Sequence, residues 1–173
     1  MTQVDSVSFA WHDGFLLGHA PMDHVHEEFV RLVAALSRAP DESVQDAFRL
    51  LADHMREHFN MENAWMTATA FPARECHIDE HAAVMGSLEA VRPHVVVGNY
   101  AEARRLAVAL ADWFPGHADY LDAPLAHWMC KRRFGGKPVV MRRHIHQFIK
   151  ESSRRLPTPI SAGQHFEDLD KQA

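Results

Sequence analysis

Apolar residues recur at helical spacing in four stretches of the chain, with polar residues on the complementary positions. The first stripe runs Met22, His26, Phe29, Val33 and Leu36, and Pro40 closes it before Asp41 offers a cap for the next helix. The second runs Val44, Phe48, Leu51, Met55, His58, Glu62 and Trp65. The third runs His77, His81, Val84, Leu88, Val91 and Val95, and Gly98-Asn99 is its stop. The fourth runs Ala103, Leu106, Leu110, Trp113 or Phe114, His117 and Leu121. No stretch alternates with period two for long enough to argue a sheet. Four amphipathic helices with short links predict an all-α fold, an up-down-up-down four-helix bundle with an N-terminal arm and a C-terminal helical extension.

Two prolines bear on the fourth helix. Pro115 removes a backbone donor and crowds the preceding turn, which costs about 3 kcal/mol inside a regular helix. A kink or break near residues 111–115 is expected. Pro124 disfavours helical geometry at Ala123 and marks a second boundary there.

Several stripe positions do not suit a dry core. His26, His58, Glu62, His77, His81 and His117 all fall on inward faces, and an ionised Glu62 there is strongly disfavoured without a cation. His58/Glu62 and His77/His81 are i, i+4 pairs, so each pair shares one helix face. Their heights agree too. His26 begins helix one, His58 and Glu62 lie late in helix two, His77 and His81 begin helix three, and His117 ends helix four. In an up-down-up-down bundle these places share one end, which is how metal sites form between facing helices. One tetrahedral zinc needs only four ligands, so this many donors suit two ions sharing carboxylates, and imidazole with carboxylate suits iron. Glu62 supplies one bridge, and Asp122, just beyond His117, is the best candidate for the other.

Composition supports an ordinary soluble domain that uses histidine unusually often: 14 of 173 residues are His, and 47% are hydrophobic. No segment reaches the roughly 20 apolar residues of a membrane span, and the N-terminus lacks a secretory signal, so a cytoplasmic location is expected. Cys76 and Cys130 are too few for a disulfide framework and read as free thiols. Charge breaks near residue 122. Residues 1–122 hold 8 Lys/Arg against 19 Asp/Glu, whereas residues 123–155 hold 9 Lys/Arg against Glu151 alone. The chain divides accordingly into a bundle over 1–122, a basic helical extension over 123–155 and a flexible tail over 156–173.

The ordered set Trp11…Leu17-Gly18…Met22-Asp23-x-x-His26, His58-Phe59-x-x-Glu62, Phe71-Pro72…His77-x-x-x-His81 and Trp113-Phe114-x-x-His117-x-x-x-x-Asp122 resembles the bacterial hemerythrins over roughly residues 8–122. The resemblance implies reversible dioxygen binding at a non-haem di-iron centre with an oxo or hydroxo bridge, for oxygen storage, delivery or sensing. It implies that His77, His81 and His117 hold one iron, that His26 and His58 hold the other, and that Glu62 and Asp122 bridge them. The two-histidine iron would keep the open position. Phe114 stands where relatives often carry leucine and is expected in the dioxygen pocket. Pro115-Gly116 before His117 and the 51 residues after Asp122 are further departures from the family pattern.

The remaining chemistry-bearing residues read as bystanders. His24 and His54 are expected exposed or supporting a ligand, Cys76 points about 100° away from His77, and Met55, Met66 and Met85 fill the core. Glu75, Asp79 and Glu80 fall on the solvated side. His144 and His146 do not face together on a helix, so they make no second metal site. No acid/base group beyond the ligands is identifiable in the bundle, which argues against a dedicated enzyme. The alternatives are di-iron chemistry on peroxide, nitric oxide or ferrous iron, and a sensor signalling through the extension. The basic residues of 131–155 are expected to pack on the acidic bundle, with an acidic protein partner or a membrane surface as the alternatives; nucleic acid is not expected.

Overall fold

The four stripes become four long helices because each buries its apolar face against two neighbours. The computed structural model describes residues 9–140. After a 3-10 turn at Asp13–Phe15 come α1 (Ala20–Arg38), α2 (Asp41–Ala68), α3 (Arg74–Val96) and α4 (Tyr100–His117). A π-helical turn at Ala118–Asp122 leads directly into α5 (Ala123–Phe134). Helix α1 packs on α2 and α4, and α3 packs on the same two, closing an all-α four-helix ring. No strand occurs among the described residues, and no helix among them is long and apolar enough to cross a membrane.

Helix ends follow backbone chemistry more than side-chain caps. Asp41 does not cap α2: Pro40 precedes the helix in extended geometry, and the Asp41 carboxylate instead pairs with Arg104 at 2.6 Å. Gly98 ends α3 as expected, at φ +82°, with the Asn99 N–H donating to the His94 carbonyl at 2.8 Å. In the arm, Asp23 accepts the Leu17 and Gly18 N–H groups at 2.7 and 3.0 Å, fixing how the chain enters α1.

The expected break near 111–115 is absent. Helix α4 runs through Pro115 to His117, and the Ala118 N–H still reaches the carbonyls of Phe114 and Pro115. One missing donor is not enough to end a helix whose face is buried at Ala111, Phe114 and His117. The irregularity comes one turn later, where the Ala123 N–H bonds to Ala118 O in an i to i+5 pattern. Pro124 does not bar helical geometry at Ala123, which sits at φ −60°, ψ −44°. Pro124 occupies the first turn of α5, where a donor is dispensable.

Two apolar clusters flank the polar layer along the bundle axis. The larger holds Phe29, Val33, Phe48, Leu51, Met55, Leu88, Leu110 and Phe114. The smaller holds Met22, Met66, Phe71, Leu125 and Ala126, with Trp65 and Trp128 packed against it. Helix α5 therefore closes the bundle end beyond the layer. Trp128 anchors it by donating from Nε1 to Thr69 Oγ1 at 3.0 Å. Residues 138–140 then cross Gly18, where an added Cβ would meet Pro138 Cβ at 2.9 Å. Among the described residues Lys131, Arg132, Arg133 and Lys137 make no ion pair with the bundle; Arg132 and Arg133 lie over the rings of Trp128 and Phe134. Positions 141–173, including His144, His146 and the tail, lie outside the described residues.

Candidate metal centre

Between the two apolar clusters, the helical repeat delivers seven polar side chains to one layer. Helix α1 supplies His26, α2 supplies His58 and Glu62 one turn apart, α3 supplies His77 and His81 one turn apart, and α4 supplies His117. Asp122 follows His117 by five residues. On a regular α-helix that separation turns a side chain by about 140°. The π turn removes most of this rotation, so Asp122 faces inward with His117. All seven are buried, and His26, Glu62, His77 and Asp122 are wholly inaccessible. The structure thus brings all seven of these side chains together in one layer, whereas the nearby Asp119 is exposed.

The two carboxylates divide their oxygens between two groups of imidazoles. Glu62 Oε1 lies 3.1 Å from His58 Nε2 and 3.8 Å from His26 Nε2, while Oε2 lies 3.4 Å from His81 Nε2 and 3.7 Å from His77 Nε2. Asp122 Oδ2 lies 3.2 Å from His26 Nε2, while Oδ1 lies 3.1 and 3.3 Å from the Nε2 atoms of His77 and His117. One side therefore gathers three histidines and the other two. The donor atoms of Glu62, His77, His81, His117 and Asp122 cluster closely enough to hold one ion, and those of His26, His58 and Glu62 form a second such group.

The electrostatics call for cations. Burial and the charge of Asp122 push the Glu62 carboxyl upward, but His58 and His26 outweigh them and hold it below the usual carboxylate range. Asp122 is likewise held low, against its burial, by His117, His26 and His77. His26 is disfavoured as a cation by burial, yet Asp122 and Glu62 raise its pKa to about 9. Even so, His26 Nε2, His77 Nε2, Glu62 Oε2 and both Asp122 oxygens make no hydrogen bond of good geometry. Buried donors and acceptors are nearly always paired, and atoms that converge without pairing suit a shared metal. Nitrogen and carboxylate oxygen together suit a first-row metal ion, iron among them.

Aromatic rings pack around this layer. Phe114 meets the His26 ring edge-on, with centroids 5.2 Å apart and planes at 87°. Phe15 and Phe9 of the arm pack edge-on against the Phe114 ring at 5.1 and 6.0 Å. On the other side, Phe59 stacks on His81 at 4.0 Å and 8°, and Trp113 lies 4.3 Å from His117.

Three supporting residues escape sequence reasoning. Asn63 accepts from His81 Nδ1 at 2.9 Å, and Glu80, expected on the solvated side, accepts from Trp113 Nε1 at 2.8 Å. His19 is buried against Trp65, with its pKa lowered by burial. None of the three gives a sequence signal, because each partner lies on another helix. His54 is half-buried and donates from Nε2 to the Val25 carbonyl at 3.1 Å, His24 is exposed, and so is Cys76.

The hemerythrin HHE cation binding domain family matches residues 17–126. The chain is 34% identical to the bacteriohemerythrin of Ralstonia nicotianae over 122 residues, which is 70% of this chain and 89% of that relative. No solved structure matches the chain.

Proposed function

Because the chain belongs to the hemerythrin HHE cation-binding family, we propose that it binds dioxygen reversibly at a non-haem di-iron centre. The observation that carries this reading is the division of Glu62 and Asp122 between a three-histidine and a two-histidine group. His77, His81 and His117 would hold one iron, His26 and His58 the other, and the two carboxylates would bridge them. Iron, when bound, supplies the electrons and the open coordination position that reversible dioxygen binding needs.

The protein's own part is to keep that position dry and unequal. With one imidazole fewer, the His26–His58 side leaves room for a small ligand. Phe114, edge-on to His26 and backed by Phe9, Phe15 and Phe29, walls that side with hydrocarbon. By excluding water, these side chains would disfavour charge separation at a bound metal and so favour release of the ligand by the reverse of its binding. The clusters above and below extend the same exclusion.

Reconstitution with ferrous iron under nitrogen tests the proposal. Elemental analysis should count two irons per chain, and gas uptake should reach one dioxygen per pair, recovered on evacuation. One iron, or uptake without recovery, would refute it.

A further inference from the structure

The five histidines of the layer are not equally supported. The Nδ1 atoms of His26, His58, His77 and His117 are buried and form no hydrogen bond among the described residues. His81 Nδ1 alone is held, by Asn63 Oδ1 at 2.9 Å. An amide oxygen only accepts, so the proton of this bond sits on His81 Nδ1, leaving Nε2 bare toward the layer. Nε2 lies there 3.4 Å from Glu62 Oε2 and 3.3 Å from His117 Nε2. The Phe59 ring, parallel to His81 at 4.0 Å, fixes the remaining rotation.

Asn63 also borders a cleft beside the layer. This cleft of about 130 Å³ between α2 and α3 is lined by Phe59, Asn60, Asn63, Ile78 and His81.

We infer that Asn63 is a positioning residue that fixes the His81 tautomer and sets the electron-donating strength of the three-histidine side, making the two irons unequal in ease of oxidation. This inference rests on the di-iron reading above. A hydrogen bond from the outer nitrogen orients an imidazole and raises its basicity toward a metal, and loss of such a partner typically costs about 10- to 100-fold in metal affinity or activity. Because Asn63 borders the cleft, a carboxylate at this position is partly hydrated and tolerable, and it would draw the Nδ1 proton more strongly than the amide does.

The test uses the full chain with Asn63→Leu, similar in size without an acceptor, and Asn63→Asp. In the metal-free protein, imidazole nitrogen shifts should report His81 as Nδ1-protonated in the wild type and as mixed tautomers in Asn63→Leu. In the iron-loaded protein, chelator competition should show Asn63→Leu binding iron about 10- to 100-fold more weakly. The midpoint potential should fall in Asn63→Asp and rise in Asn63→Leu. Wild-type potentials and affinities in both variants would overturn the inference, even if both melted at lower temperature, because a purely structural role moves stability without moving potential. Failure of the wild type itself to take up two irons would overturn the di-iron reading instead, and this inference with it.

Discussion

Asp122 Oδ1 lies 3.3 Å from His117 Nε2 although the two residues are five apart in sequence, and the π turn at Ala118–Asp122 is what makes that contact. A π turn is in effect one extra residue taken up within an α-helix. Deleting the exposed Tyr120 should therefore convert it to α geometry, put the aspartate four residues after His117, and keep both irons. Inserting an alanine after Tyr120 should swing the aspartate about 100° away and lose metal. Iron counts on the two variants, with helicity checked by circular dichroism, decide the matter; equal loss in both would contradict this role for the turn.

Glu62 and Cys76 make a contrasting pair. Glu62→Ala removes the carboxylate that both imidazole groups share, so stoichiometric iron binding should fail. Cys76→Ser alters an exposed thiol and should leave iron content and spectrum unchanged. Parallel metal analysis of both variants checks this.

Phe114 couples the arm to the His26 side. Replacement by alanine should cost about 3–5 kcal/mol of stability, as for other buried phenylalanines. It should also speed both dioxygen release and irreversible oxidation, since the cavity admits water beside His26. Phe114→Leu should show the same kinetic direction with a smaller loss of stability. Stopped-flow release rates and thermal melts measure the two effects separately.

Without metal, pH should act on the layer in two directions. His19, His54 and His81 have pKa values lowered by burial, so their contribution is present above 6.5 and is lost as pH falls through their folded values. Glu62 and Asp122, held low, add to the acid loss below about 4.5. His26, raised to about 9, contributes stability that is full below 6.5 and lost as pH rises through 9. Melting temperature of the metal-free protein should thus rise from pH 4 to 6.5, and His26→Asn should flatten the decline between 6.5 and 9.

Much of this was legible because a buried helix face repeats every three to four residues, so His26, His58, Glu62, His77 and His81 announced themselves by standing where Leu or Val belongs. Their common height followed from short links alone. The course of α4 was not legible. Pro115 reads as a breaker because sequence exposes the lost donor but not the burial of Ala111, Phe114 and His117 that holds the helix together. Nor does sequence show the π turn at 118–122, the place that turns Asp122 inward. Asn63 and Glu80 were missed because their partners lie on neighbouring helices, and such pairings depend on axial rotation, which period alone does not set. Helix α5 was separated from the bundle on charge, yet its apolar residues Leu125 and Ala126 close the bundle end.

The most direct test of reversible dioxygen binding is the visible absorption of the iron-loaded protein through repeated cycles of air and vacuum. Reversible binding predicts a charge-transfer band that appears with dioxygen, vanishes on its removal and returns undiminished over several cycles. A spectrum that changes once in air and does not revert, or one indifferent to dioxygen, would contradict it.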